Sequence, residues 1–304
     1  MSGRVLTTPV VLMVFNRPAQ TQQVFNEIRK VRPEKLLVIA DGPRPGRQED
    51  VEKCTTTRQI IAQVDWECEV LKNYSTGNLG CKRRVASGLD WVFSTVEEAI
   101  ILEDDCLPHP TFFTFCQVLL ERYRDDERFM TISGNNFQAG LGRTQDSYYF
   151  SRYAHVWGWA TWRRAWRYYD VDMNLWPKVR TDQWLFDILG SMRAHVKGGQ
   201  CHFDLMASMK AIEYWYKIFN YTHAGKIDTW DYQLIFASWL QNALHILPNV
   251  NLVSNIGFGP DATHTKIVRK CANMPVEAVP FPLQHPPFII RDAVADDYTQ
   301  TTHF

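Results

Sequence analysis

The chain has 304 residues, of which 45% are hydrophobic and 22% are charged, proportions typical of a folded globular protein rather than a disordered or fibrous one. Its 33 lysines and arginines balance its 33 aspartates and glutamates. No overall charge is therefore available to attract nucleic acid or an anionic membrane. We expect no nucleic-acid partner.

The cysteines and the N-terminal region point to a reducing compartment. The seven cysteines are odd in number and include no Cys-x-x-Cys pair, which argues against a disulfide framework and a structural zinc site. Asn16, Arg17 and Pro18 interrupt the first apolar run. That run is too short for a signal peptide or for a spanning helix of ~20 apolar residues. We therefore expect a cytoplasmic protein whose contact with a membrane, if it has one, is peripheral.

Strands and helices alternate in the first part of the chain. The apolar run VVLMVF from Val10 to Phe15 predicts a buried strand, and Asn16 with Pro18 predicts the start of a helix. Further strands are predicted at 36–40, 68–71, 99–102 and 130–133, and helices at 49–64, 77–96 and 110–124. This alternation predicts an α/β fold with a mostly parallel sheet flanked by helices.

The second part of the chain is rich in aromatic residues. Six of the 11 tryptophans lie between Trp157 and Trp184. Helices are predicted at 181–195, 203–219 and 231–242, with a short strand near Leu252 and an extended, Pro-rich tail from Pro275. We therefore divide the chain into an α/β half at 1–126, an aromatic-rich half at 127–274 and a tail at 275–304.

Polar side chains follow the predicted strands, at the edge of the sheet where parallel sheets bind their ligands. Arg17 follows the first strand and Asp41 the second, while Glu103, Asp104 and Asp105 follow the fourth. Adjacent carboxylates repel one another unless a cation lies between them, and Mg²⁺ or Mn²⁺ on one or two carboxylates keeps positions open for phosphates. The alternative is an acidic turn that caps the next helix.

Several other kinds of site are excluded by the absence of their motifs. No G-x-G-x-x-G follows the first strand, and no G-x-x-x-x-G-K-[ST] occurs anywhere. The nucleophile elbow G-x-S-x-G and the zinc motif H-E-x-x-H are also absent. These absences exclude hydride transfer, P-loop phosphoryl transfer and hydrolase chemistry.

The sequence resembles the nucleotide-diphospho-sugar transferases of the GT-A fold. It is most similar to the GlcNAc transferase that initiates complex N-glycans and to bacterial sugar-transferase-like proteins labelled hemolytic HlpA-like. The resemblance covers roughly residues 10–265 and is carried by the motifs VFNRP, EDDCLPHPTFF, WGWATWRRAW, TWDYQ and PNVNLVSNIGFG. It implies a GT-A, Rossmann-like sheet whose first half binds a nucleotide-diphosphate sugar, while the aromatic-rich half binds the acceptor.

The resemblance also implies roles for the residues that follow the strands. In that family the last carboxylate of the EDD motif holds the metal, which assigns Mn²⁺ or Mg²⁺ to Asp105. The two earlier carboxylates, Glu103 and Asp104, then reach toward the ribose and the donor sugar. Arg17 occupies the position that contacts the nucleotide and diphosphate in that family, and Asp41 occupies the position that contacts the nucleobase.

Two further positions come from the same resemblance. Arg84 lies where the family contacts the nucleotide, although the family has another residue type there. A histidine late in the chain completes metal or diphosphate binding in several such enzymes, which matches His264. A surface or packing role is the alternative for this histidine.

The family's catalytic base is an aspartate preceded by tryptophan, which matches Trp230 and Asp231. An inverting transfer needs one carboxylate to take the proton of the acceptor hydroxyl. Asp228 competes for this role, and a favourable charge at a helix N-terminus is the structural alternative for Asp231. Tyr232 stands where the GlcNAc transferase has a second aspartate, which leaves the acceptor open.

Aromatic and amide side chains complete the predicted site. Trp159 lies in a segment that alternates aromatic with small residues, and we expect it to bind the acceptor together with Trp230, whereas core packing is expected for Trp162 and Trp166. Asn135, with its neighbour Asn136, follows the strand at 130–133 and is a candidate for the donor-sugar pocket. A turn or capping role is the alternative for both asparagines.

These observations predict a metal-dependent glycosyltransferase that uses a UDP-sugar, with UDP-GlcNAc the donor that the resemblance suggests, and a glycan or lipid-linked saccharide as acceptor. One alternative is a nucleotidyltransferase, which usually carries a glycine-rich, basic loop after the first strand. Here that loop has the single charge of Arg17. A non-catalytic glycan-binding protein on the same fold is the other alternative.

Overall fold

An eight-stranded sheet forms the centre of the molecule, with helices on both faces. The computed structural model describes residues 6–189, 193–197, 200–258 and 271–304, with the backbone alone for 193–197 and 200–208. The described strands are β1 (Val10–Val14), β2 (Lys35–Ala40), β3 (Glu69–Tyr74), β4 (Glu98–Glu103), β5 (Cys106–Pro108), β6 (Phe129–Ser133), β7 (Tyr148–Ser151), β8 (Trp159–Trp162), β9 (Arg193–Lys197), β10 (Gln200–Asp204), β11 (Leu244–Pro248) and β12 (Val253–Asn255).

Helices alternate with strands in the first part of the chain, as the α/β prediction requires. The described helices are α1 (Pro18–Val31), α2 (Gln48–Ile60), α3 (Gly80–Thr95), α4 (Thr111–Arg122), α5 (Arg163–Trp166), α6 (Trp176–Thr181), α7 (Trp184–Leu189), α8 (Leu205–His223), α9 (Asp231–Leu240) and α10 (Ala293–His303). None of them combines the length and the apolar character that a membrane-spanning helix needs.

The strand order in the main sheet is β3-β2-β1-β4-β8-β6-β11-β7. The first four of these strands are parallel, as predicted from their continuous apolar runs. Strand β8 is antiparallel to both of its neighbours, and β7 is antiparallel to β11, while β6 and β11 are parallel. The prediction of a mostly parallel α/β sheet flanked by helices is therefore confirmed.

Each face of the sheet buries its own hydrophobic cluster. Leu12 points to the face covered by α1 and α4, whereas Val11 points to the face covered by α3 and the aromatic helices. Because β1, β2 and β4 are buried on both faces, nearly every residue in them is apolar. Trp162 and Trp166 lie in this core, 2% and 5% exposed, as expected.

The C-terminal region corrects one prediction. Residues 275–292 contain no helix or named strand, but α10 follows them where an extended tail was expected. The Asp292 carboxylate accepts hydrogen bonds from the backbone N–H groups of Val294 and Ala295, both at 2.9 Å, and so caps this helix. Asp296 in its first turn is buried against β7, where it accepts a hydrogen bond from Ser151.

The helix predicted at 181–195 is also different in the structure. The shorter helices α6 and α7 occupy 176–181 and 184–189, and β9 begins at Arg193. Gln183, between the two helices, has a φ of 58°, a left-handed conformation that ends one helix before the next begins.

Candidate active site

A cavity of about 300 Å³ opens at the carboxyl ends of β1, β2 and β4, which is where the sequence predicted ligand binding. This volume lies at the lower end of the range of small-molecule sites. Six of the predicted residues line it, namely Arg17, Asp41, Arg84, Glu103, Asp104 and Asp105.

Arg17 holds two of the carboxylates that follow β4. Its Nη1 atom lies 2.5 Å from Oδ2 of Asp105 and 3.5 Å from Oδ1 of Asp104. The other oxygen of Asp104 accepts the backbone N–H of Phe15 at 3.1 Å. These contacts follow from the topology, because β1 and β4 are parallel neighbours with Met13 opposite Glu103. The convergence predicted from the strand ends is therefore present for these residues.

The acidic cluster, Glu103, Asp104 and Asp105, is electrostatically crowded. Burial raises the pKa of Asp104 to about 7, and repulsion from Asp105 adds to the rise. Burial also raises the pKa of Glu103 well above its usual range, together with repulsion from Asp105, Asp104 and Asp231. Among the described residues, Arg17 is the only base within ion-pair distance of Asp104 or Asp105. The cluster is therefore an environment that favours a bound cation.

The acidic cluster fits an open metal site rather than a closed one. Within the described ranges, no group of three histidine, cysteine or acidic side chains is arranged to hold a metal. Mg²⁺ and Mn²⁺ commonly use one or two carboxylates and complete their shell with water and phosphate oxygens. Asp105 can serve in this way, because the described residues make only two long contacts with its Oδ1 atom, from Asn255 at 3.5 Å and from the Cys106 thiol at 3.7 Å. His264 lies outside the described residues.

Gly257 packs its backbone against Asp105. A Cβ atom at this position would lie 2.0 Å from Oδ2 of Asp105, closer than real Cβ contacts ever come. The neighbouring backbone is fixed, since Ile256 N–H donates to the Asp105 carbonyl at 2.8 Å and Gly257 N–H donates to Asn255 Oδ1 at 2.9 Å. Only glycine leaves room for the carboxylate in its present orientation.

Asp41 uses its carboxylate to hold the loop between β3 and α3. One oxygen accepts from the backbone N–H groups of Gly42 and Leu79, at 2.8 and 2.9 Å. The other accepts from Asn78 Nδ2 at 3.0 Å and again from Leu79 N–H at 3.2 Å. Burial raises the pKa of Asp41, and the N–H groups of Leu79 and Gly42 oppose the rise. Contact between Asp41 and a nucleobase stays a prediction.

Arg84 joins α3 to the ends of two strands. Its Nε donates to the Ala40 carbonyl at 3.2 Å, and its Nη2 donates to the carbonyl and the side chain of Asn73 at 2.5 and 2.8 Å. The side chain is buried, and this burial lowers its pKa. Arg84 therefore organises the cavity wall, and a direct nucleotide contact stays a prediction.

Asp228, the competing candidate for the base, caps α3. Its two oxygens accept the backbone N–H groups of Cys81 and Lys82 at 3.2 and 3.0 Å, in the first helical turn. Gly80 beside it has a φ of 77°, and a Cβ there would lie 3.0 Å from Asp228. This contact spans 147 residues of sequence, so the local pattern gave no signal of it.

Asp231 is the first residue of α9 and is not among the described residues that line the cavity. Its negative charge contributes to the raised pKa of Glu103. Its Oδ1 atom accepts hydrogen bonds from the Thr229 hydroxyl and, at 2.9 Å, from the Tyr232 backbone N–H. The structure shows the helix-terminal position that was the structural alternative for Asp231, and its role as the base stays a prediction.

The expected acceptor platform of tryptophans is wrong. Trp159 and Trp230 are 1% and 3% exposed, and their rings stack on each other with centroids 5.5 Å apart. A sugar stacks on an open aromatic face, and neither ring has one. The aromatic-small alternation belongs to strand β8, whose two faces are both buried. The Trp159–Trp230 pair instead anchors the start of α9, directly before Asp231.

Asn135 is also displaced from its predicted role. It is fully buried and does not line the cavity, and its Oδ1 atom accepts the Trp157 backbone N–H at 3.2 Å. Asn136 donates to the Pro248 carbonyl at 2.7 Å and accepts from Gln138 N–H at 2.7 Å. Both asparagines therefore stabilise turns, which was the alternative, because the loop after β6 turns into the protein.

The prediction missed other residues that line the cavity, among them Phe15, Arg44 and Asn78. The Arg44 guanidinium is held by Asp50 through contacts of 2.5 and 2.8 Å and lies 5.5 Å from the centre of the Phe15 ring. Arg44 holds the pKa of Asp50 well below its usual range. Phe15 and Arg44 closely follow β1 and β2, so the strand-end rule that indicated Arg17 and Asp41 also applied to them.

No family model and no curated protein sequence matches the chain. A solved structure of the galactosyltransferase LgtC with donor and acceptor sugar analogues is 10% identical at a TM-score of 0.34; the match covers 58% of this chain and 65% of LgtC, less than two thirds of that enzyme. Mouse xyloside xylosyltransferase 1 is 8% identical, with 76% and 81% covered and a TM-score of 0.36. UDP-glucose pyrophosphorylase complexed with UDP-glucose is 8% identical, with 80% and 90% covered and a TM-score of 0.36. Likenesses this distant do not assign an activity.

Proposed function

We propose that this protein is a metal-dependent glycosyltransferase that moves a sugar from a nucleoside-diphosphate donor to a hydroxyl acceptor with inversion. The observation that carries the proposal is the acidic cluster at the end of β4, which Arg17 only partly balances in a cavity of about 300 Å³. This arrangement attracts a divalent cation, and a divalent cation in turn attracts a diphosphate. UDP is the nucleotide we expect, with a glycan or lipid-linked saccharide as acceptor.

In this proposal Asp105 holds the ion, and Arg17 keeps the Asp105 carboxylate in place and adds positive charge where the phosphates would bind. When bound, Mn²⁺ or Mg²⁺ would supply the positive charge that stabilises a departing diphosphate. Glu103 and Asp104 would accept hydrogen bonds from ribose and sugar hydroxyls, provided that they are ionised. Burial and the charge of Asp105 raise the pKa of Asp104, so the positive charge of a bound cation would favour its ionised form.

Asp231 is the residue proposed to take the proton of the acceptor hydroxyl. Two contacts support it, since the Thr229 hydroxyl and the Tyr232 N–H both hold the same Oδ1 atom and so fix the orientation of the carboxylate. Asp228 is the weaker candidate, because both of its oxygens are used by the first turn of α3.

The test begins with thermal unfolding in nucleoside diphosphates, with and without Mn²⁺. A ligand at 100 times its dissociation constant stabilises the fold by ~2.7 kcal/mol. We expect a Mn²⁺-dependent shift for the parent and none for Asp105→Asn, whose shape is unchanged but whose charge is lost. An equal shift in both proteins would contradict the metal assignment.

Turnover then separates the three alternatives. A glycosyltransferase releases UDP from a UDP-sugar, whereas a nucleotidyltransferase releases pyrophosphate when given UTP and a sugar 1-phosphate. A glycan-binding protein on this fold binds carbohydrate and releases neither product. The loop after β1 contains a single cationic residue, Arg17, which is followed by Pro18. This favours a glycosyltransferase over a nucleotidyltransferase.

A further inference from the structure

Asn78 lines the cavity on the loop between β3 and α3, and nothing in its local sequence indicated a role. Its Nδ2 atom donates to Asp41 Oδ2 and to the Gly42 carbonyl, both at 3.0 Å. A backbone carbonyl can only accept, so the nitrogen of the amide must face Gly42. Both amide hydrogens are therefore used inside the protein, and the orientation of the side chain is fixed.

The remaining polar atom of Asn78 is its Oδ1, a hydrogen-bond acceptor. No described residue donates to it, and the side chain is partly exposed rather than buried. An amide held by two hydrogen bonds loses little further entropy on binding, which makes it a rigid acceptor for an N–H group of a ligand.

Asp41, by contrast, has little capacity left as an acceptor. Its oxygens already receive the N–H groups of Gly42 and Leu79 and the amide of Asn78. A ligand N–H would have to displace contacts that hold the loop in place. Of the two neighbouring side chains, Asn78 is thus the one that offers an acceptor at no structural cost.

Planar side chains line the same cavity as Asn78 and the acidic cluster. Phe15 and Arg44 line the same cavity, and the guanidinium of Arg44 is fixed by Asp50 beside the Phe15 ring. A flat aromatic ring and a planar guanidinium are surfaces on which a nucleobase stacks. The cavity therefore combines carboxylates suited to a cation with phosphates and planar side chains suited to a nucleobase.

We infer that Asn78 reads the nucleobase, and that its Oδ1 atom accepts the N3–H of uracil. This inference rests on the proposed function, which supplies the nucleotide. Uracil suits a single fixed acceptor, because N3–H is the only N–H donor that the base retains in a nucleotide. Asn78 is thereby assigned as a specificity-determining residue, and Asp41 as the residue that positions it.

The test uses UDP and N3-methyl-UDP, both with Mn²⁺, and measures dissociation constants by calorimetry. Methylation removes the N3–H donor and leaves the rest of the ligand unchanged. For the parent protein we expect N3-methyl-UDP to bind roughly tenfold more weakly than UDP, the loss expected for one hydrogen bond. For Asn78→Ala we expect UDP itself to weaken by about the same factor and the two ligands to differ by less than about twofold.

Leu79→Ala is the matched control, because the Leu79 side chain is in the same loop and 48% exposed. It should keep the tenfold discrimination of the parent. The inference is overturned if the parent binds both ligands equally, or if Asn78→Ala, shown by thermal unfolding to be folded, still discriminates as the parent does. The second result would return the base contact to Asp41. Failure of every nucleoside diphosphate to bind with Mn²⁺ would instead remove the proposed function itself.

Discussion

Gly257→Ala tests the metal site without changing any residue that would touch the metal. The added Cβ would lie 2.0 Å from Oδ2 of Asp105, whereas real contacts stay above 3.0 Å, so the two groups must separate by at least about 1 Å. The backbone cannot easily retreat, since Gly257 N–H is bonded to Asn255 and Ile256 N–H to Asp105. The carboxylate is therefore the group that moves, and its 2.5 Å contact with Arg17 is lost.

Metal sites tolerate deviations of only about 0.2 Å in ligand distance. A displacement of about 1 Å removes the ligand, and changes around a metal ligand typically cost ~10–100-fold in affinity. We expect Gly257→Ala to lose Mn²⁺-dependent UDP binding by at least that factor, measured by calorimetry across a Mn²⁺ series, while binding of UDP without metal changes little.

Gly142→Ala provides the control, because an added Cβ at that exposed glycine meets nothing within 4 Å. Circular dichroism and thermal unfolding establish that both variants are folded. If Gly257→Ala bound UDP with Mn²⁺ within twofold of Gly142→Ala, the orientation of Asp105 would not matter to the metal, and the reasoning from this contact would be refuted.

Three further predictions concern Asp231, Asp228 and the buried His245. Asp231→Asn should bind UDP-sugar and Mn²⁺ like the parent but turn over at least ~100-fold more slowly, with an inverted anomeric product by NMR; unchanged turnover or a retained configuration would contradict the base assignment. Asp228→Asn should keep most turnover because asparagine also caps helices, whereas Asp228→Ala should lower the free energy of unfolding by ~0.5–2 kcal/mol in urea titrations; loss of turnover in Asp228→Asn would make Asp228 the base. Burial lowers the pKa of His245 to about 3, so the native state stays neutral while the unfolded chain binds a proton below about pH 6.5, and stability should fall by up to ~1.4 kcal/mol per pH unit as the pH drops. His245→Gln should flatten that slope, and identical slopes between pH 6 and pH 4 would show that His245 titrates normally.

The parallel part of the sheet was predictable because burial on both faces leaves little choice of residue. Strand β1 was predicted one residue too long, and β2 and β4 one or two residues too short. The strand-end rule then located the contact of Arg17 with Asp104 and Asp105. The antiparallel strands were harder to predict. Strand β8 carries Trp159 and Trp162 on opposite buried faces, and its alternation of aromatic with small residues is the same pattern that an exposed sugar-binding surface would show.

The acids around the cavity show why position after a strand is not sufficient to assign a role. Asp41 and Asp228 both lie in the cavity wall, yet backbone N–H groups between residues 79 and 82 satisfy their oxygens. Those donors come from the loop before α3 and from its first turn, which are distant in sequence from Asp228 and were not visible as its partners.

Asp104 and Asp105 differ from these two acids in how their charge is balanced. Among the residues that the structure describes, they share the single guanidinium of Arg17, and one backbone N–H, from Phe15, donates to Asp104. A carboxylate whose charge is balanced by hydrogen bonds within the protein gains little from a bound cation. A buried pair of carboxylates that shares one positive charge is stabilised when a cation binds. Deficit of positive charge, rather than the number of acids, therefore marks the end of the cavity where a cation and its diphosphate would bind. Asn78 is better suited than Asp41 to contact a nucleobase for a separate reason, because the oxygens of Asp41 already accept the N–H groups of Gly42 and Leu79 and the amide of Asn78.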